Sequence, residues 1–320
     1  MNRMLFLSAV ALLGGCVAMT SSAPKPEKIT VAVQSSNAAA TLAVWQPLIA
    51  DMSQKSGVPI TLLTESQSDT VKALATGKAD VVWLSSSVAI DAVADAQAEA
   101  FALYFNVNGT SGYKAILVTK KSSGITTLDV ALTPGKYRYA HLPQTSTSGY
   151  VLPQFFLFTP RNTTAEKLFK SAIVGSHFSN LDLLWADTVD VIVNNSTDLA
   201  VFQARTPGAA DALVTLWESP LVPNDVLMVR ADTPAATKRW LQDFFLTTYG
   251  KTDEEKALLK AASGILRFVP TDNKLLEPVS AFKFGTERNQ INPDGKLSAE
   301  DKAKRIAELE LRISRFNRSL

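Results

Sequence analysis

Short apolar runs alternate with helix-length amphipathic segments along most of the chain. Strand-like runs lie at 29–34, 59–65 and 79–85, and apolar residues at helical spacing lie between them. The runs VVWL and AILV are almost continuously apolar, as parallel strands that are buried on both faces are. This βαβ alternation predicts an α/β fold with helices on both sides of a sheet.

The same alternation begins again in the second part of the chain. The strands predicted there are 136–142, 189–195 and 212–219. Strand-like segments at 112–121 and 219–230 lie where the pattern passes from one unit to the other. Two crossings imply that the first unit is discontinuous and that the units can move about a hinge. We therefore expect lobe 1 at 28–117 and 227–285, and lobe 2 at 118–226.

From Pro234 onward the pattern becomes helical. Two predicted helices end at Gly250 and Gly264, and glycine commonly follows the end of a helix. The tail at 286–320 has Ser298 at an N-cap position and apolar residues at helical spacing. The favoured interpretation is that this tail packs on its own lobe. The alternative is a helix that contacts a partner subunit, so that the protein self-associates through it.

The first 16 residues differ from the rest of the chain. Arg3 precedes an apolar run that is shorter than the roughly 20 residues needed to span a bilayer, which is typical of a signal peptide. The run ends at Cys16, the only cysteine, and Leu-Gly-Gly-Cys resembles the lipobox of bacterial lipoproteins. We expect an exported protein that is anchored through a lipid on Cys16, with 17–27 as a flexible tether. A plain secretory signal is the alternative.

Composition narrows the class of partner. The 320 residues include 32 Lys or Arg and 30 Asp or Glu, so the formal net charge is +2. Nucleic-acid binding needs a concentrated basic surface, and no basic cluster with interleaved aromatic residues is present. Two histidines and a lone cysteine do not suggest a metal site. No Walker-type sequence is present either. We expect no nucleic acid, no metal and no cofactor.

Four hydroxyl residues in a row, Thr145 to Ser148, precede Gly149 and an apolar run that predicts a helix. The first turn of a helix leaves N–H groups without partners and carries partial positive charge. Serine and threonine hydroxyls add neutral donors that can turn toward the oxygens of a tetrahedral anion. We expect a helix from near Gly149 and an oxyanion site, where glycine removes bulk at the approach of the anion. The alternative is a serine N-cap beside surface hydroxyls.

Nearly the whole mature chain resembles the periplasmic phosphonate-binding proteins of ABC importers. The motifs that carry the resemblance are STSGYVLP, GSH at 175–177, VDVIVNN, SPLVPND, DFFLTTYGKTDEEKALL, ADVVWLS and SGYKAILV. The resemblance implies a type II-like periplasmic-binding-protein fold, in which two lobes close on a phosphonate and deliver it to an ABC permease and its ATPase. Phosphate, phosphite or a sulfonate as ligand, and an anchored sensor as function, are the alternatives.

Matched by position, the resemblance also implies roles for individual residues. The phosphonate head would be bound by Ser146, Thr147, Ser148 and His177. Tyr113 would wall the cleft, and Asp225 would pair with the amino group of an aminoalkylphosphonate. The family's second amine-binding carboxylate falls on Thr197, and its first-lobe tyrosine falls on Gln67. Asp198 is expected to point about 100° away from Thr197 on a helix, so we expect a different or weaker tail preference.

A serine hydrolase is a remote alternative. Ser148, His177 and Asp225 could supply a nucleophile, a base and an acid, because a triad is defined by geometry and not by position. The chain has no Gly-x-Ser-x-Gly sequence, and neutral donors suit reversible binding better than attack. We therefore expect a binding protein without catalytic residues. His141 matches no family position and is expected to be structural.

Overall fold

The structure is a computed structural model that describes residues 24–35, 38–291 and 297–320. The expected signal peptide, the expected lipidation site Cys16 and residues 17–23 of the expected tether lie outside the described residues. Across the described ranges, no helix combines the length and the apolar character needed to cross a membrane.

The strands form two large sheets and one short pair. They are β1 (Ile29–Gln34), β2 (Ile60–Glu65), β3 (Val81–Leu84), β4 (Ala98–Asn106), β5 (Gly112–Tyr113), β6 (Ala115–Lys120), β7 (Arg138–His141), β8 (Ser171–Val174), β9 (Val191–Asn195), β10 (Leu213–Glu218), β11 (Val222–Pro223), β12 (Val226–Arg230) and β13 (Ile265–Pro270). The first sheet has the order β13-β4-β12-β3-β1-β2 and the second has the order β10-β6-β9-β7-β8. We call the first sheet with its packed helices lobe 1, and the second sheet with its packed helices lobe 2.

Helices cover both sheets and form the C-terminal part of the chain. They are α1 (Ala38–Ser56), α2 (Gln67–Ala75), α3 (Ser86–Ala96), α4 (Leu128–Ala131), α5 (Ala165–Leu168), α6 (His177–Trp185), α7 (Ser196–Arg205), α8 (Ala209–Ala212), α9 (Ala235–Gln242), α10 (Asp253–Ser263), α11 (Glu277–Ile291) and α12 (Ala299–Asn317). Wider π-helical turns occur at 147–151, 154–158 and 243–248. The predicted stop at Gly264 is confirmed, because this glycine follows α10 with a φ of 61°.

The apolar runs correctly indicated burial but not strand direction. β1, β2 and β3 pair in parallel, whereas β12 runs antiparallel to β3 and β4. The run AILV lies in β6, is buried on both faces and pairs antiparallel with β9 and β10. The prediction of parallel pairing for AILV is therefore wrong. A strand that is central in a sheet with both faces covered becomes uniformly apolar in either direction.

Three strands were not predicted, namely β4, β8 and β13. β13 pairs antiparallel with β4 at the edge of the first sheet, within a region expected to be entirely helical. β4 pairs with residues 226–230 and 265–270, which are more than a hundred residues away along the chain. Such pairing depends on tertiary context, which weak local strand preferences do not reveal.

The chain passes between the lobes at β5 and β11, which pair with each other antiparallel through Tyr113 and Val222. β6 extends across the lobe boundary expected at 117/118, and the whole strand lies in the second sheet. β12 begins at Val226 and lies in the first sheet. The short β5–β11 pair therefore connects the two lobes at the position where a hinge was expected.

The C-terminal helices pack on their own chain, as the favoured interpretation expected. Phe284 of α11 and Phe316 of α12 contact each other with ring centroids 5.8 Å apart, and both join the core that contains α3. Phe282 of α11 also contacts Phe155 and Phe156 of lobe 2, each at 5.1 Å between ring centroids. α11 therefore touches both lobes.

An ionic network fastens these helices to α3. We define it as Asp91, Asp95, Lys283, Glu287 and Arg312. The Lys283 Nζ lies 2.9 Å from the Asp91 Oδ1 and 2.7 Å from the Glu287 Oε1. Arg312 pairs with Asp91, with Asp95 at 3.1 Å and with Glu287 at 2.8 Å. Burial lowers the pKa of Lys283, but the carboxylates of Asp91 and Glu287 outweigh this effect and raise it, so the ammonium stays charged.

Candidate ligand-binding cleft

The carboxyl ends of parallel strands bring most of the candidate residues to one edge of each lobe. In lobe 2, β7 runs parallel to β8 and to β9. Residues 145–149, which we call the head loop, follow β7, whereas His177 follows β8 and Asn195 ends β9. In lobe 1, Gln67 follows β2 and Ser85 follows β3. Ligands of open α/β sheets bind at this edge.

The head loop opens into a wide turn with free donors. The Ser146 hydroxyl accepts from the Gly149 N–H at 3.1 Å, and the Ser146 carbonyl accepts from the Val151 N–H at 3.0 Å. The helical segment therefore begins at Thr147, slightly earlier than expected, and its first turn is π-helical. The N–H groups of Thr147 and Ser148 have no intrahelical acceptor at that position. Turns of this kind frequently occur at functional sites.

Gly149 is required by packing and not by the approach of an anion. A Cβ at this position would lie 2.4 Å from the Leu142 Cβ, which is far closer than two carbon atoms can approach. The expectation that Gly149 clears space for a ligand is therefore wrong. The glycine lets the turn close against the end of the preceding strand.

The head loop contacts lobe 1 at two points. The Thr147 hydroxyl oxygen accepts from the backbone N–H of Ser87 at 2.9 Å, and Thr147 also shares a side-chain hydrogen bond with the buried Tyr113. The Thr145 hydroxyl donates to the Gln67 side-chain oxygen. The two lobes therefore meet at the hydroxyl cluster, and the tyrosine beside the hinge reaches the same cluster.

His177 is oriented by an asparagine that holds it at two atoms. The Asn194 Nδ2 donates to the His177 carbonyl at 2.8 Å, and the Asn194 Oδ1 lies 2.8 Å from the His177 Nδ1. The same Oδ1 accepts from the Asn195 N–H, so this amide orientation places the hydrogen on the His177 Nδ1. Among the residues described, the Nε2 has no hydrogen-bonding partner. The Asp198 Oδ2 lies 3.8 Å from the Nδ1.

Asp225 is held by a tryptophan that is itself fixed by aromatic neighbours. The Trp83 Nε1–H donates to the Asp225 Oδ2 at 2.8 Å. The Trp83 ring contacts Trp45 and Tyr104, each at 5.0 Å between centroids. Burial, together with the negative charge of Asp198, raises the pKa of Asp225 to about 6. The site therefore contains a carboxyl group that is ready to pair with a cation.

Asp198 lies beside His177, and its Oδ2 accepts from the Asn195 Nδ2 at 2.8 Å. Its charge adds to the effect of burial and of Asp225 in raising the pKa of Tyr104. Its charge also contributes to the raised pKa of Asp225. Thr197 makes no side-chain hydrogen bond to any residue that the structure describes. Thr197 and Asp198 both lie on α7, so their side chains point about 100° apart, as expected for consecutive residues of a helix. This direction brings Asp198 close to His177.

Sequence reasoning missed four residues that shape this region. They are Trp83, Ser87, Tyr104 and Asn194. The run Ser85–Ser87 after a predicted strand could have been noticed, because it parallels the hydroxyl run that was singled out. Tyr104 lies on β4, which was not predicted, so no local signal pointed to it.

The remote hydrolase arrangement is not formed. The Nδ1 of His177 is bonded to Asn194, and Asp225 is bonded to Trp83. A triad requires the acid to orient the base, and here the acid and the base have separate partners.

The expected structural role of the second histidine is consistent with its surroundings, because His141 is buried and stacked on Tyr139.

A cavity of about 380 Å³ adjoins the contact between Gln67 and Thr145. Its walls include Tyr150 of the helical segment after the head loop, and Lys283 and Gln290 of α11. The Gln290 Nε2 donates to the Tyr150 hydroxyl at 2.8 Å. The C-terminal helices therefore form one side of the cleft region as well as a brace between the lobes.

Comparison with known proteins identifies the family. A family model described as "ABC transporter, phosphonate, periplasmic substrate-binding protein" matches residues 31–276. The chain belongs to this family. The phosphonates-binding periplasmic protein of Escherichia coli (strain K12) is 28% identical over 276 residues, which cover 86% of this chain and 81% of that protein. The expected function class, a substrate-binding component of an ABC phosphonate importer, is confirmed.

Solved structures of the phosphonate-binding family share the fold. The binding-protein component of an ABC phosphonate transporter from Pseudomonas aeruginosa aligns with a TM-score of 0.77 and 26% identity, covering 92% of this chain and 98% of that one. PhnD1 of Prochlorococcus marinus, in complex with methylphosphonate, aligns with a TM-score of 0.68 and 17% identity, covering 81% and 97%. The predicted α/β binding-protein fold with a helical C-terminal segment is confirmed.

Proposed function

We propose that this protein binds an organophosphonate in the cleft between the lobes and delivers it to the permease of its ABC importer. The observation that carries the proposal is the head loop, where Ser146, Thr147 and Ser148 are buried at the start of an open helical turn. Within the described part of the chain, the Ser148 hydroxyl has no partner. The hydroxyl and N–H donors of the head loop suit a desolvated tetrahedral oxyanion.

The His177 ring offers one nitrogen to the ligand. With the Nδ1 hydrogen directed at Asn194, the Nε2 is the nitrogen that can reach a ligand. A protonated imidazole donates from both nitrogens, so in that form His177 would add a donor to the neutral hydroxyls of the head loop.

Titration calorimetry with a panel of anions tests this function. We expect methylphosphonate and 2-aminoethylphosphonate to bind at least tenfold more tightly than sulfate or a sulfonate. A sulfonate carries one negative charge, so a doubly negative phosphonate head gains more from these converging donors. Sulfate is also doubly negative, but it has no carbon substituent that the cleft could contact. Phosphate and phosphite serve as controls for the need for a carbon substituent. Tighter binding of sulfate, or no binding of any phosphonate, would contradict the proposal.

The tail of the ligand would be selected by Asp225 and Asp198. Burial of two carboxylates near each other is unfavourable, as the pKa of about 6 for Asp225 indicates. An ammonium group placed between them would relieve this repulsion. We therefore propose that Asp198 takes the place of the second amine-binding carboxylate that Thr197 lacks, so that an aminoalkylphosphonate is accepted.

An Asp225→Asn variant should change stability and affinity in opposite directions. The folded-state pKa of about 6 exceeds the unfolded value of about 3.9, so ionised Asp225 lowers stability as the pH rises between these values, and the loss persists above them. At pH 7.5 the variant should therefore melt at a higher temperature than the wild type. Its affinity for 2-aminoethylphosphonate should fall roughly ten- to a hundredfold, as calorimetry would show.

Methylphosphonate, which has no amino group, is the control ligand for this variant and should bind within about threefold of the wild-type affinity, since only the amine contact is lost. In the wild type, affinity for 2-aminoethylphosphonate should weaken as the pH falls through about 6, because Asp225 becomes protonated. An equal loss for both ligands would contradict the assignment of Asp225 to the tail.

We also infer that the protein is held at the membrane by a lipid on Cys16 and that it binds its ligand without converting it. The Leu-Gly-Gly-Cys sequence supports the anchor, and the separate partners of His177 and Asp225 support binding without catalysis. Metabolic labelling with a fatty acid tests the anchor. Assembly with the permease and ATPase follows from the family.

A further inference from the structure

A second helix terminus lies directly opposite the head loop. α3 has 11 residues and starts at the cleft edge of lobe 1, where its N-cap residue Ser85 is extended, with φ −68° and ψ 156°. The backbone N–H of Ser87, in the first turn, donates to the Thr147 hydroxyl oxygen at 2.9 Å. The first turn of α3 is therefore in direct contact with the head loop.

Two buried hydroxyl groups at this terminus lack partners. The Oγ atoms of Ser85 and Ser87 are buried without a hydrogen bond, and their residues are 8% and 0% exposed. Ser85 does not use its hydroxyl to cap the helix, although this is the usual role of serine at that position. Ser86, between them, does have a partner, because its hydroxyl donates to the Pro223 carbonyl of the hinge at 3.1 Å. Unpaired buried hydroxyls are rare and call for an explanation.

We propose that the first turn of α3 is the second half of the anion site. In this arrangement the hydroxyls of Ser85 and Ser87 bind the tetrahedral phosphonate head from lobe 1, while the head loop binds it from lobe 2. The inference rests on the proposed function and assigns to it residues that sequence reasoning did not. The ligand class is a tetrahedral dianion held between two opposed helix termini.

The geometry of Thr147 supports this arrangement. Its oxygen accepts from the Ser87 N–H, so its own hydrogen is directed toward another acceptor. The Thr147 hydroxyl group is therefore shared with Ser87 and Tyr113, and it holds the first turn of α3 against the head loop. Each helix N-terminus adds partial positive charge, so two opposed termini suit a doubly negative group better than one does.

This arrangement couples ligand binding to closure of the lobes. A head that needs donors from both lobes binds fully only when Ser87 and Thr147 are close together. A ligand that binds the closed form more tightly shifts the population toward it. The phosphonate head itself, and not only the tail, would then stabilise the closed form that a permease recognises.

Serine-to-alanine variants at α3 test the inference with methylphosphonate, whose small tail isolates head recognition. By titration calorimetry, Ser85→Ala and Ser87→Ala should each weaken binding about tenfold or more, the effect of losing a hydrogen bond to a charged group. The matched control is Ser86→Ala, which removes a hydroxyl group from the same turn. The Ser86 hydroxyl is already bonded to the hinge and is not expected to bind the ligand. This variant should bind within about threefold of the wild type.

A Ser85→Thr variant, which keeps a hydroxyl at the N-cap, should retain affinity within about threefold. Thermal melts without ligand separate a folding defect from a binding defect. If Ser87→Ala is unstable, the comparison of Ser85→Ala with Ser85→Thr tests the inference alone. If the wild type binds methylphosphonate and the alanine variants bind it equally well, the inference is overturned while the proposed function stands. A wild type that binds no phosphonate would overturn both.

Discussion

Replacement of Lys283 by methionine should lower the free energy of unfolding by about 3–5 kcal/mol, the usual cost of removing one partner from a buried ion pair. The ammonium group lies 2.9 Å from Asp91 and 2.7 Å from Glu287, and the Lys283 side chain is 7% exposed. Methionine keeps most of the apolar stem, so the change mainly removes the charge. Arg312 would then face the carboxylates alone. Urea denaturation followed by circular dichroism measures the effect.

The matched control is Arg288→Met. Arg288 of α11 pairs with Glu310 of α12, and both side chains are about half exposed. Lys283 and Arg288 both lie on α11, so the two variants remove ion pairs of the same helix at different depths. Exposed pairs contribute about 0–1 kcal/mol, so Arg288→Met should change the free energy of unfolding by less than about 1 kcal/mol. Equal losses in the two variants would mean that burial does not govern the strength of the network.

The position of the network gives it a role beyond stability. Asp91 and Asp95 lie on α3, whose first turn contacts the head loop, and α11 also contacts Phe155 and Phe156 of lobe 2. The C-terminal helices therefore brace the two elements whose ends face each other across the cleft. The tail, for which the sequence favoured packing on its own lobe, thus has a structural task within one chain.

Much of the fold could be predicted from local pattern because the chain alternates apolar strands with amphipathic helices. The strand at 29–34 has the predicted bounds, and the helix that ends before Gly264 was correct because a capping box and a glycine mark its ends. Direction and remote pairing were less accessible. The apolar run AILV predicts that the strand is buried but not the direction in which it pairs. β13 is stabilised as a strand by pairing with β4, and local strand preference does not reveal such a remote pairing.

The candidate site shows the same limit at the level of single residues. The hydroxyl cluster was visible because its members are adjacent in sequence. The contact of Ser87 with Thr147 joins residues 60 positions apart, and that of Trp83 with Asp225 joins residues 142 positions apart. The position of Asp198 beside His177 was not predicted, because it depends on how α7 is placed against that residue. Residue spacing within one helix does not fix that placement.

Replacement of Ser146, Thr147 and Ser148 together by alanine should weaken methylphosphonate binding by roughly a thousandfold or more. Each hydrogen bond to a charged group contributes about 1.5–3 kcal/mol, and about 1.4 kcal/mol corresponds to tenfold in affinity. The three side chains are 6%, 1% and 2% exposed, so water would replace the lost donors poorly. Titration calorimetry on the triple variant and the wild type gives the ratio.

The single variant Ser148→Ala separates binding from structure. Ser146 also caps the turn through the Gly149 N–H, and Thr147 also accepts from Ser87, so those two changes disturb the loop as well as the ligand. Ser148 makes no such bond to the residues described, and its loss should weaken binding ten- to a hundredfold at about the same melting temperature. Ser171→Ala, at the exposed start of β8, is the control. If Ser148→Ala and the triple variant both kept wild-type affinity, the anion would have to bind elsewhere.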